Sequence, residues 1–468
     1  MMKKASTRIE TDSLGDIVVP LNAMYGAQTQ RALDNFNISS FSLPTSFIMA
    51  LAQIKKAAAQ TNANLKLLSP QAADAITSAT DEILQGKHSD QFAVDVFQTG
   101  SGTSSNMNMN EVIVGICRAK FDLKLHPNDH VNLGQSSNDV IPTAIQISTI
   151  VQLQSHLIPA FNQLIEIVDV KSHELKSVIK TGRTHLMDAM PLTFGQELSG
   201  WASQLRTGLE RLEEYMVSMT DLAQGGTAVG TGINTHPLFA KGFAAKLSDN
   251  LSESVNLEFS SSDNFFRTIS SQDLSVGLSG HLRVLATSLY KISTDLRWMN
   301  SGPLCGLAEI ELEALQPGSS IMPGKVNPVI PEAVSMACAQ VIGNDATILM
   351  SGMSGNFQLN TMLPVIAYNL LQSIELLANS ASHLGEYSIK NFSVNTDNAD
   401  AAVQRNPILA TALTPIIGYA AAAKIAKKAY RTKRSVLQVA CEETCIDEQE
   451  LRELLDPLNL ANLPNSLD

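Results

Sequence analysis

Two long apolar repeats constrain the fold of this chain more than any other feature of its sequence. In each repeat, apolar residues recur at steps of three and four over about 25 residues, as on a helix with one buried stripe. The first repeat contains Phe194, Leu198, Trp201, Leu205, Leu209, Leu212, Met216 and Met219, and the second contains Leu274, Leu278, Leu282, Leu285, Leu289, Ile292, Leu296 and Met299. Helices of this length predict an elongated bundle.

Further helical patterns surround these two repeats. One apolar repeat runs from Pro142 to Val168, and others cover residues 332–350 and 361–385. Residues 46–85 predict two helices that are broken at Ser69-Pro70, where serine is the N-cap and proline the first helical residue. Five long helices present more apolar surface than one chain buries, so the pattern also predicts an oligomer.

The composition excludes several classes of protein. The formal charge of −12 argues against a nucleic-acid surface, which needs a basic stripe. No segment approaches the ~20 consecutive apolar residues that span a bilayer, and residues 1–12 lack the apolar stretch of a signal peptide. Five scattered cysteines never form a Cys-x-x-Cys pair, which predicts a reducing compartment and no metal site. We therefore expect a soluble cytoplasmic protein without a membrane segment.

A loop rich in proline and glycine separates two of the helical patterns. Residues 317–328 read Pro-Gly-Ser-Ser-Ile-Met-Pro-Gly-Lys-Val-Asn-Pro, which no helix interior accommodates. The loop carries hydroxyls, an ammonium group and an amide between glycines, as a lid over a polar substrate does. A plain surface connector is the alternative interpretation.

Other polar segments lie at the ends of the predicted helices. Residues 98–111 are dense in Ser, Thr and Asn, which suits either a ligand site or a helix entry, and residues 126–130 and 135–139 are similar. Residues 181–191 are predicted as a loop between two helices, and its His185 has an arginine, two threonines and an aspartate nearby. Residues 225–232 hold four glycines but lack a nucleotide-binding ending, so they predict a tight turn.

These segments together resemble a known superfamily. Residues 318–328 match in full the pattern Gly-Ser-Ser-x-Met-Pro-x-Lys-x-Asn-Pro of the aspartase/fumarase superfamily, and the resemblance extends from residues 26–31 to residues 417–419. Residues 98–103, His185 and Gly324 resemble the class II fumarate hydratases, the iron-independent type. Aspartate ammonia-lyases tend to carry glutamine and alanine at the last two positions. Residues 329–332 and 358–360 look more like aspartases, and Leu304 replaces a usual arginine, so aspartate ammonia-lyase remains the alternative.

The resemblance implies an activity and a set of site residues. The activity is that of a hydro-lyase without a cofactor or metal, which hydrates fumarate reversibly to (S)-malate by anti-addition of water through a carbanion, or aci-carboxylate, intermediate. By resemblance Ser319 is the base, and His185 acts on the opposite face with its imidazole polarised by Glu332. The implied substrate-binding residues are Ser101, Gly102, Thr103, Asn106, Ser136, Ser137, Asn138, Thr184, Ser320, Lys325, Val326 and Asn327.

The resemblance also implies an architecture and partners. The expected fold is mainly all-α, with three domains and a central long-helix bundle that assembles into a tetrameric helical core. We expect a mostly helical N-terminal domain at residues 1–138, the bundle at 139–396 and a small helical domain at 397–468. The implied partners are a small dicarboxylate of the tricarboxylic acid cycle and the other subunits of a homotetramer with shared active sites. A possible second dicarboxylate site comprises His126, Pro127, Asn128 and Asp129, although Leu123 stands where some relatives have a basic residue.

Overall fold

The computed structural model describes residues 6–461, and most of them are helical, as predicted. The helices are, in chain order, α1 Ala27–Asn35, α2 Thr45–Asn64, α3 Pro70–Leu84, α4 Thr103–Phe121, α5 Ser137–Gln152, α6 Ile158–Glu174, α7 Phe194–Val217, α8 Phe239–Leu251, α9 Phe265–Ser270, α10 Asp273–Met299, α11 Val329–Gly352, α12 Leu363–Leu384, α13 Thr396–Arg405, α14 Thr414–Ile417, α15 Tyr419–Thr432, α16 Val436–Glu443, α17 Glu448–Leu454 and α18 Pro457–Ala461.

The strands are short and form only two-stranded sheets among the described residues. They are β1 Thr7–Asp12, β2 Gly15–Pro20, β3 Ile179–Thr184, β4 Met187–Thr193, β5 Asp221–Leu222, β6 Ser260–Ser261, β7 Ile310–Glu311, β8 Gly355–Asn356, β9 Leu359–Asn360 and β10 Ser393–Val394. β1 pairs with β2 and β3 with β4, both antiparallel.

The two long repeats form α7 and α10, as predicted, except that Met219 lies in a 3₁₀ turn just after α7. Their apolar side chains are buried, except Leu274, which is half-buried. The predicted helices at 332–350 and 361–385 are α11 and α12. The repeat from Pro142 to Val168 is divided, because one π-helical turn at Leu153–Leu157 separates α5 from α6. The Ser69 prediction is confirmed, since its hydroxyl accepts a hydrogen bond from the Ala72 N–H group at 3.3 Å.

The chain forms two compact units. The first comprises the described residues up to Pro159 together with Gly208–Ala286 and Cys338–Asn379. The second comprises Ala160–Thr207, Thr287–Ala337 and the described residues from Ser380. The predicted domain limits at 138 and 396 remain a prediction, and their outermost residues, 1–5 and 462–468, lie outside the described residues.

In the first unit α2 is the central helix. It packs against α3, α5 and α8, and its buried side has alanines at close-packed positions. The carboxylate of Glu111 on α4 holds the start of α1, because it accepts hydrogen bonds from the N–H groups of Gly26, Gln28 and Thr29 at 2.9–3.0 Å. These N–H groups have no partner within α1, so Glu111 caps that helix from another element.

In the second unit the β3–β4 hairpin packs against helices that come much later in the chain. α13 lies against β3, and α18 lies against β4. The side chain of Gln196 donates a hydrogen bond to the Ala461 carbonyl at 2.7 Å, and that of Asn406 donates one to the Ala189 carbonyl at 2.8 Å. Buried residues of α15, α16 and α17, among them Ile425, Val439 and Leu451, form a small apolar core.

Candidate active site

The turn before α4 carries three of the predicted substrate-binding residues. Ser101 and Thr103 are half-buried, and their hydroxyl oxygens lie 2.9 Å apart. The Thr99 hydroxyl accepts a hydrogen bond from the Ser104 N–H group at 3.1 Å, so the turn closes onto the first residues of the helix. The resulting surface offers uncharged donors at the positive end of α4, which suits a carboxylate ligand.

The two glycines of this turn are required by the protein itself. A Cβ atom at Gly100 would lie 1.9 Å from the backbone oxygen of Thr361, and one at Gly102 would lie 2.8 Å from the Ile141 side chain. Gly102 also has a φ of +72°. Both glycines are therefore needed for the close approach of this turn to α5 and to the segment before α12.

The predicted binding residues at 136–138 form the start of α5. The Ser136 hydroxyl accepts a hydrogen bond from the Asn138 N–H group at 3.3 Å, and the Asp139 carboxylate accepts one from the Ser136 N–H group at 2.9 Å. Asp139 also accepts hydrogen bonds from the N–H groups of Gly225 and Thr227 at 3.0 and 2.9 Å. The glycine-rich segment at 225–232 is thus a turn, as predicted, and it supports the N-terminus of α5.

A buried lysine that the sequence analysis missed lies beneath these two helix starts. Lys55 on α2 is fully buried, and its Nζ atom donates hydrogen bonds to Asn106 Oδ1 at 2.7 Å, Asn132 Oδ1 at 3.0 Å and Gln135 Oε1 at 3.0 Å. Burial lowers the pKa of Lys55 to about 7 and raises the pKa of nearby Asp139 to about 6. The available signal was its position on the buried stripe of α2, one turn after Leu51.

Asn106 is the most buried of the predicted binding residues that have a polar side chain, with 1% of its surface exposed. Its oxygen accepts from Lys55, and its Nδ2 group donates to Asn132 Oδ1 at 3.2 Å. Asn110 donates to the same oxygen of Asn132 at 3.2 Å. Both ends of the Asn106 amide are therefore fixed, the oxygen by Lys55 and the nitrogen by Asn132.

His185 lies at the tip of a β-hairpin, which corrects the predicted loop between two helices. β3 and β4 flank His185 and Leu186, and both residues have positive φ angles, 55° and 60°, as in a tight two-residue turn. Thr184 and His185 are exposed. Period-two patterning is weak here because Gly182 and Pro191 interrupt it, so the strands depend on packing against α13 and α18.

A charged cluster supports the base of this hairpin. The carboxylate of Glu309, only 2% exposed, lies 2.8 Å from Arg183 and 3.2 Å from Lys180. Lys180 also pairs with Glu197 at 2.5 Å. Opposite charges in this arrangement fix two residues of β3.

The Ser319 loop folds back on itself. The Gly318 N–H group donates to the Lys325 carbonyl at 2.8 Å, and Asn327 Nδ2 donates to the Gly318 carbonyl at 2.7 Å. A Cβ atom at Gly318 would lie 2.4 Å from that Lys325 oxygen, so only glycine permits the closure. Lys325 Nζ donates to Asn327 Oδ1 at 2.8 Å. The loop thus holds two of its predicted binding residues in contact with each other.

The hydroxyl of Ser319 accepts two backbone hydrogen bonds. The N–H groups of Ile321 and Met322 donate to its oxygen at 3.3 and 3.1 Å. Ser320 and Val326 are exposed on the same loop.

One predicted contact between two site residues is not seen in the structure. Within residues 6–461, His185 and Glu332 make no hydrogen bond or ion pair with each other, so their pairing remains a prediction. Glu332 lies in the first turn of α11, and its N–H group donates to the Pro328 carbonyl at 3.2 Å. None of the described residues form a group of three or more His, Cys, Asp or Glu suited to a metal ion.

The possible second site lines a cavity of about 480 Å³ in the first unit. His126, Pro127 and Asn128 form part of its wall, and Leu123 is also present. Asp129 lies in a second π-helical turn, Pro127–Val131, and pairs with His126 at 3.2 Å. The cavity wall has both signs of charge, from Arg118, Lys124, Glu10, Asp12 and Glu111.

Comparison with known proteins places the chain in a family. A family described as "Lyase" matches residues 15–343, and one described as "Fumarase C C-terminus" matches residues 409–462. A "Fumarate hydratase class II 2" of Pseudomonas aeruginosa is 53% identical over 97% of this chain and 98% of its own. The chain belongs to the class II fumarate hydratase family. Another family member, from Neisseria meningitidis, is 47% identical over 98% of this chain and 99% of its own.

Solved structures of the family have the same fold. A class II fumarase from Schistosoma mansoni is 38% identical, with a TM-score of 0.95 over 98% of this chain and all of that one. A protein from Brucella melitensis described as fumarate lyase:delta crystallin is 42% identical, with a TM-score of 0.93 over 98% of this chain and all of that one. These comparisons support the predicted mainly helical fold of the superfamily.

Proposed function

We propose that this chain is a fumarate hydratase, which adds water reversibly to fumarate to give (S)-malate. The observation that carries the proposal is the Ser319 loop, where a hydroxyl oxygen already accepts hydrogen bonds from two backbone N–H groups and the same loop carries an ammonium group bonded to an amide. The names of the relatives at 46–53% identity support the hydratase activity over aspartate ammonia-lyase.

In the malate-to-fumarate direction, the alkoxide of Ser319 takes the proton from the carbon next to one carboxylate and becomes a neutral hydroxyl. The electron pair moves into that carboxylate and gives an aci-carboxylate dianion. Lys325 and Asn327 bind this carboxylate, where the charge of the transition state accumulates. The two N–H groups that reach Ser319 stabilise negative charge on its oxygen, which a free serine cannot support.

The hydroxyl of malate leaves from the opposite face. His185, with Glu332 as its polarising partner, protonates the departing oxygen, so that water is released. The remaining substrate contacts come from the starts of α4 and α5, through Thr103 and residues 136–138. Donors at two helix N-termini favour a dianion, because both ends carry positive partial charge.

We further propose that the chain forms a homotetramer with active sites shared between subunits. α11 supports this proposal, because its Met336 and Met350 are 68% and 64% exposed. α11 is also long and apolar enough to cross a bilayer. Its buried Asn344, however, donates to Ser373 and Gln372 at 3.0 Å, which suits a helix in a protein core. Light scattering of the purified protein tests the assembly: four chains are expected, and a monomer would contradict it.

We propose a soluble cytoplasmic location, in keeping with the soluble metabolic enzymes of the family.

The cavity beside residues 126–129 is proposed as a second dicarboxylate site. Its mixed charges and Leu123 predict weaker binding there than at the active site, because Glu10 and Asp12 repel a dianion.

One assay tests the proposed activity. Purified protein with (S)-malate, without added metal, should raise the ultraviolet absorbance of fumarate. The same assay with L-aspartate should give no increase. Turnover of aspartate in place of malate would instead support the ammonia-lyase, and turnover of neither would contradict both.

A further inference from the structure

The first unit contains a buried cation for which the proposed reaction has no role. Lys55 lies with no exposed surface on α2, and its three donors meet three amide oxygens, those of Asn106, Asn132 and Gln135, at 2.7–3.0 Å. An ammonium group has three N–H donors, whereas a neutral amine has two, so this geometry fits the charged form. Burying a charge is unfavourable, and its retention needs a compensating role or partner.

The three acceptors belong to two segments of the chain, the start of α4 and the turn before α5, and both segments adjoin predicted substrate-binding residues. Asn106 lies in the first turn of α4, three residues after Thr103. Asn132 and Gln135 precede the cap of α5, and the Asn132 side chain donates to the Gln135 carbonyl at 3.1 Å. Lys55 therefore joins the starts of two helices through one atom.

We propose that Lys55 is a positioning residue for dicarboxylate binding, which fixes the N-termini of α4 and α5 relative to each other and adds a positive charge beneath them. This inference rests on the proposed function, because the two helix starts are the predicted carboxylate-binding surfaces. Lys55 is fully buried and acts through Asn106 and the 132–136 turn, so it is not a catalytic residue.

One charged group faces Lys55 from the elements packed around α2. Asp139, in the first turn of α5, is fully buried and favours the charged form of Lys55. The other charged groups on these elements bind elsewhere or are exposed: Asp81 pairs with Lys56, Glu111 binds the start of α1, Glu82 binds Lys120, Asp129 pairs with His126, Lys246 pairs with Asp249, and Asp74, Arg118 and Lys241 are exposed.

This pair predicts how substrate affinity depends on pH. Burial lowers the pKa of Lys55 to about 7 and raises that of Asp139 to about 6. As the pH rises past 7, Lys55 loses its charge while Asp139 keeps its own, so the potential beneath the site becomes negative. The KM for malate should therefore rise between pH 6 and pH 8.5.

The test compares Lys55→Met with Lys56→Met, its neighbour on α2 that pairs with Asp81. At pH 6.5, Lys55→Met should raise the KM for malate about tenfold or more, with a much smaller change in kcat, and should abolish the rise of KM with pH. Lys56→Met should behave as wild type. A Lys55→Met enzyme with wild-type KM and an unchanged pH profile would overturn the proposal.

A second variant guards against misfolding of the first. Gln135→Glu places a carboxylate within hydrogen-bond distance of Lys55 Nζ and keeps the ammonium, so it should move the rise of KM to higher pH by about one unit. An unmoved profile would contradict the role of Lys55.

Succinate, a dicarboxylate that cannot react, separates this proposal from the proposed function. Calorimetry should show that Lys55→Met binds succinate more weakly than wild type does, by about the same factor as its KM for malate is raised. If wild type fails to convert malate, only the hydratase proposal fails. If both proteins bind succinate equally, the Lys55 proposal fails.

Discussion

We expect the substitution of glycine by alanine to change the free energy of unfolding in opposite directions at Gly100 and Gly200. Gly100 precedes α4 in the predicted substrate-binding turn, and a Cβ atom there would lie 1.9 Å from the Thr361 backbone oxygen. Gly200 lies on the exposed side of α7, where a Cβ atom would have no neighbour within 4 Å. Comparison of the two variants separates the effect of packing on stability from the effect of the lower entropy of the unfolded chain, because both sites gain the same methyl group.

The magnitude at Gly100 follows from these contacts. The two backbones must separate by about 1 Å, and overpacking of this kind costs about 1–3 kcal/mol. The hydrogen bond from the Leu363 N–H group to the Gly100 carbonyl, at 3.0 Å, joins the same two segments and contributes about 1 kcal/mol more if lost. The entropy gain of Gly→Ala offsets about 0.4–1 kcal/mol. We expect Gly100→Ala to lose about 1–3.5 kcal/mol of unfolding free energy.

At Gly200 the helix propensity of alanine should add about 0.5–1 kcal/mol. Thermal melting should therefore place Gly100→Ala several degrees below wild type and Gly200→Ala at or above it. Gly100→Ala should also raise the KM for malate, since the turn that carries Ser101 and Thr103 must move. A Gly100→Ala enzyme with wild-type melting temperature and KM would refute the reasoning.

Three further substitutions test other parts of the structure. Ser319→Ala should abolish malate turnover while light scattering shows an unchanged assembly, and a retained rate would exclude Ser319 as the base. Glu111→Gln should lower the unfolding free energy by about 2–4 kcal/mol, because its amide group must face at least one N–H donor of α1; an unchanged melting temperature would contradict the capping role. Hydrogen bonds from Lys120 and His88 lower the pKa of Glu82 to about 2. Its stabilisation is therefore complete above its ordinary pKa of 4.5 and is lost as the pH falls towards 2, so the melting difference between wild type and Glu82→Gln should vanish over that range.

The long helices could be predicted from sequence because their cause is local. The stripes of α7 and α10 repeat every three or four residues, and the Ser69 cap needs only the next three residues. The β3–β4 hairpin could not be predicted from the local sequence, because it is stabilised by α13 and α18, more than 200 residues later in the chain. Gly182 and Pro191 give a loop pattern that this distant packing overrides.

The same distinction applies to the site. The Ser319 loop was predictable because its glycines, prolines and polar groups are contiguous. Lys55 reads locally as a solvated lysine in an alanine-rich helix, and its acceptors are 51–80 positions away. Its role is visible only when the fold brings Asn106, Asn132 and Gln135 together around its ammonium group. The part of the site that depends on several segments was thus the part that sequence reasoning missed.

The closure of the Ser319 loop bears on how Ser319, the base in the proposed mechanism, can take a proton from carbon. The N–H groups of Ile321 and Met322 already point at its oxygen, so the loop can accommodate the negatively charged alkoxide that acts as the base in the proposed mechanism. A hydrogen bond to a charged acceptor is about twice as strong as one to a neutral acceptor, so both bonds favour the alkoxide over the neutral hydroxyl. This stabilisation of the alkoxide depends on the closed loop, and therefore on the missing side chain of Gly318. Gly318→Ala should consequently reduce kcat more than it changes the KM for malate, and a change confined to KM would show that the closed loop serves binding alone.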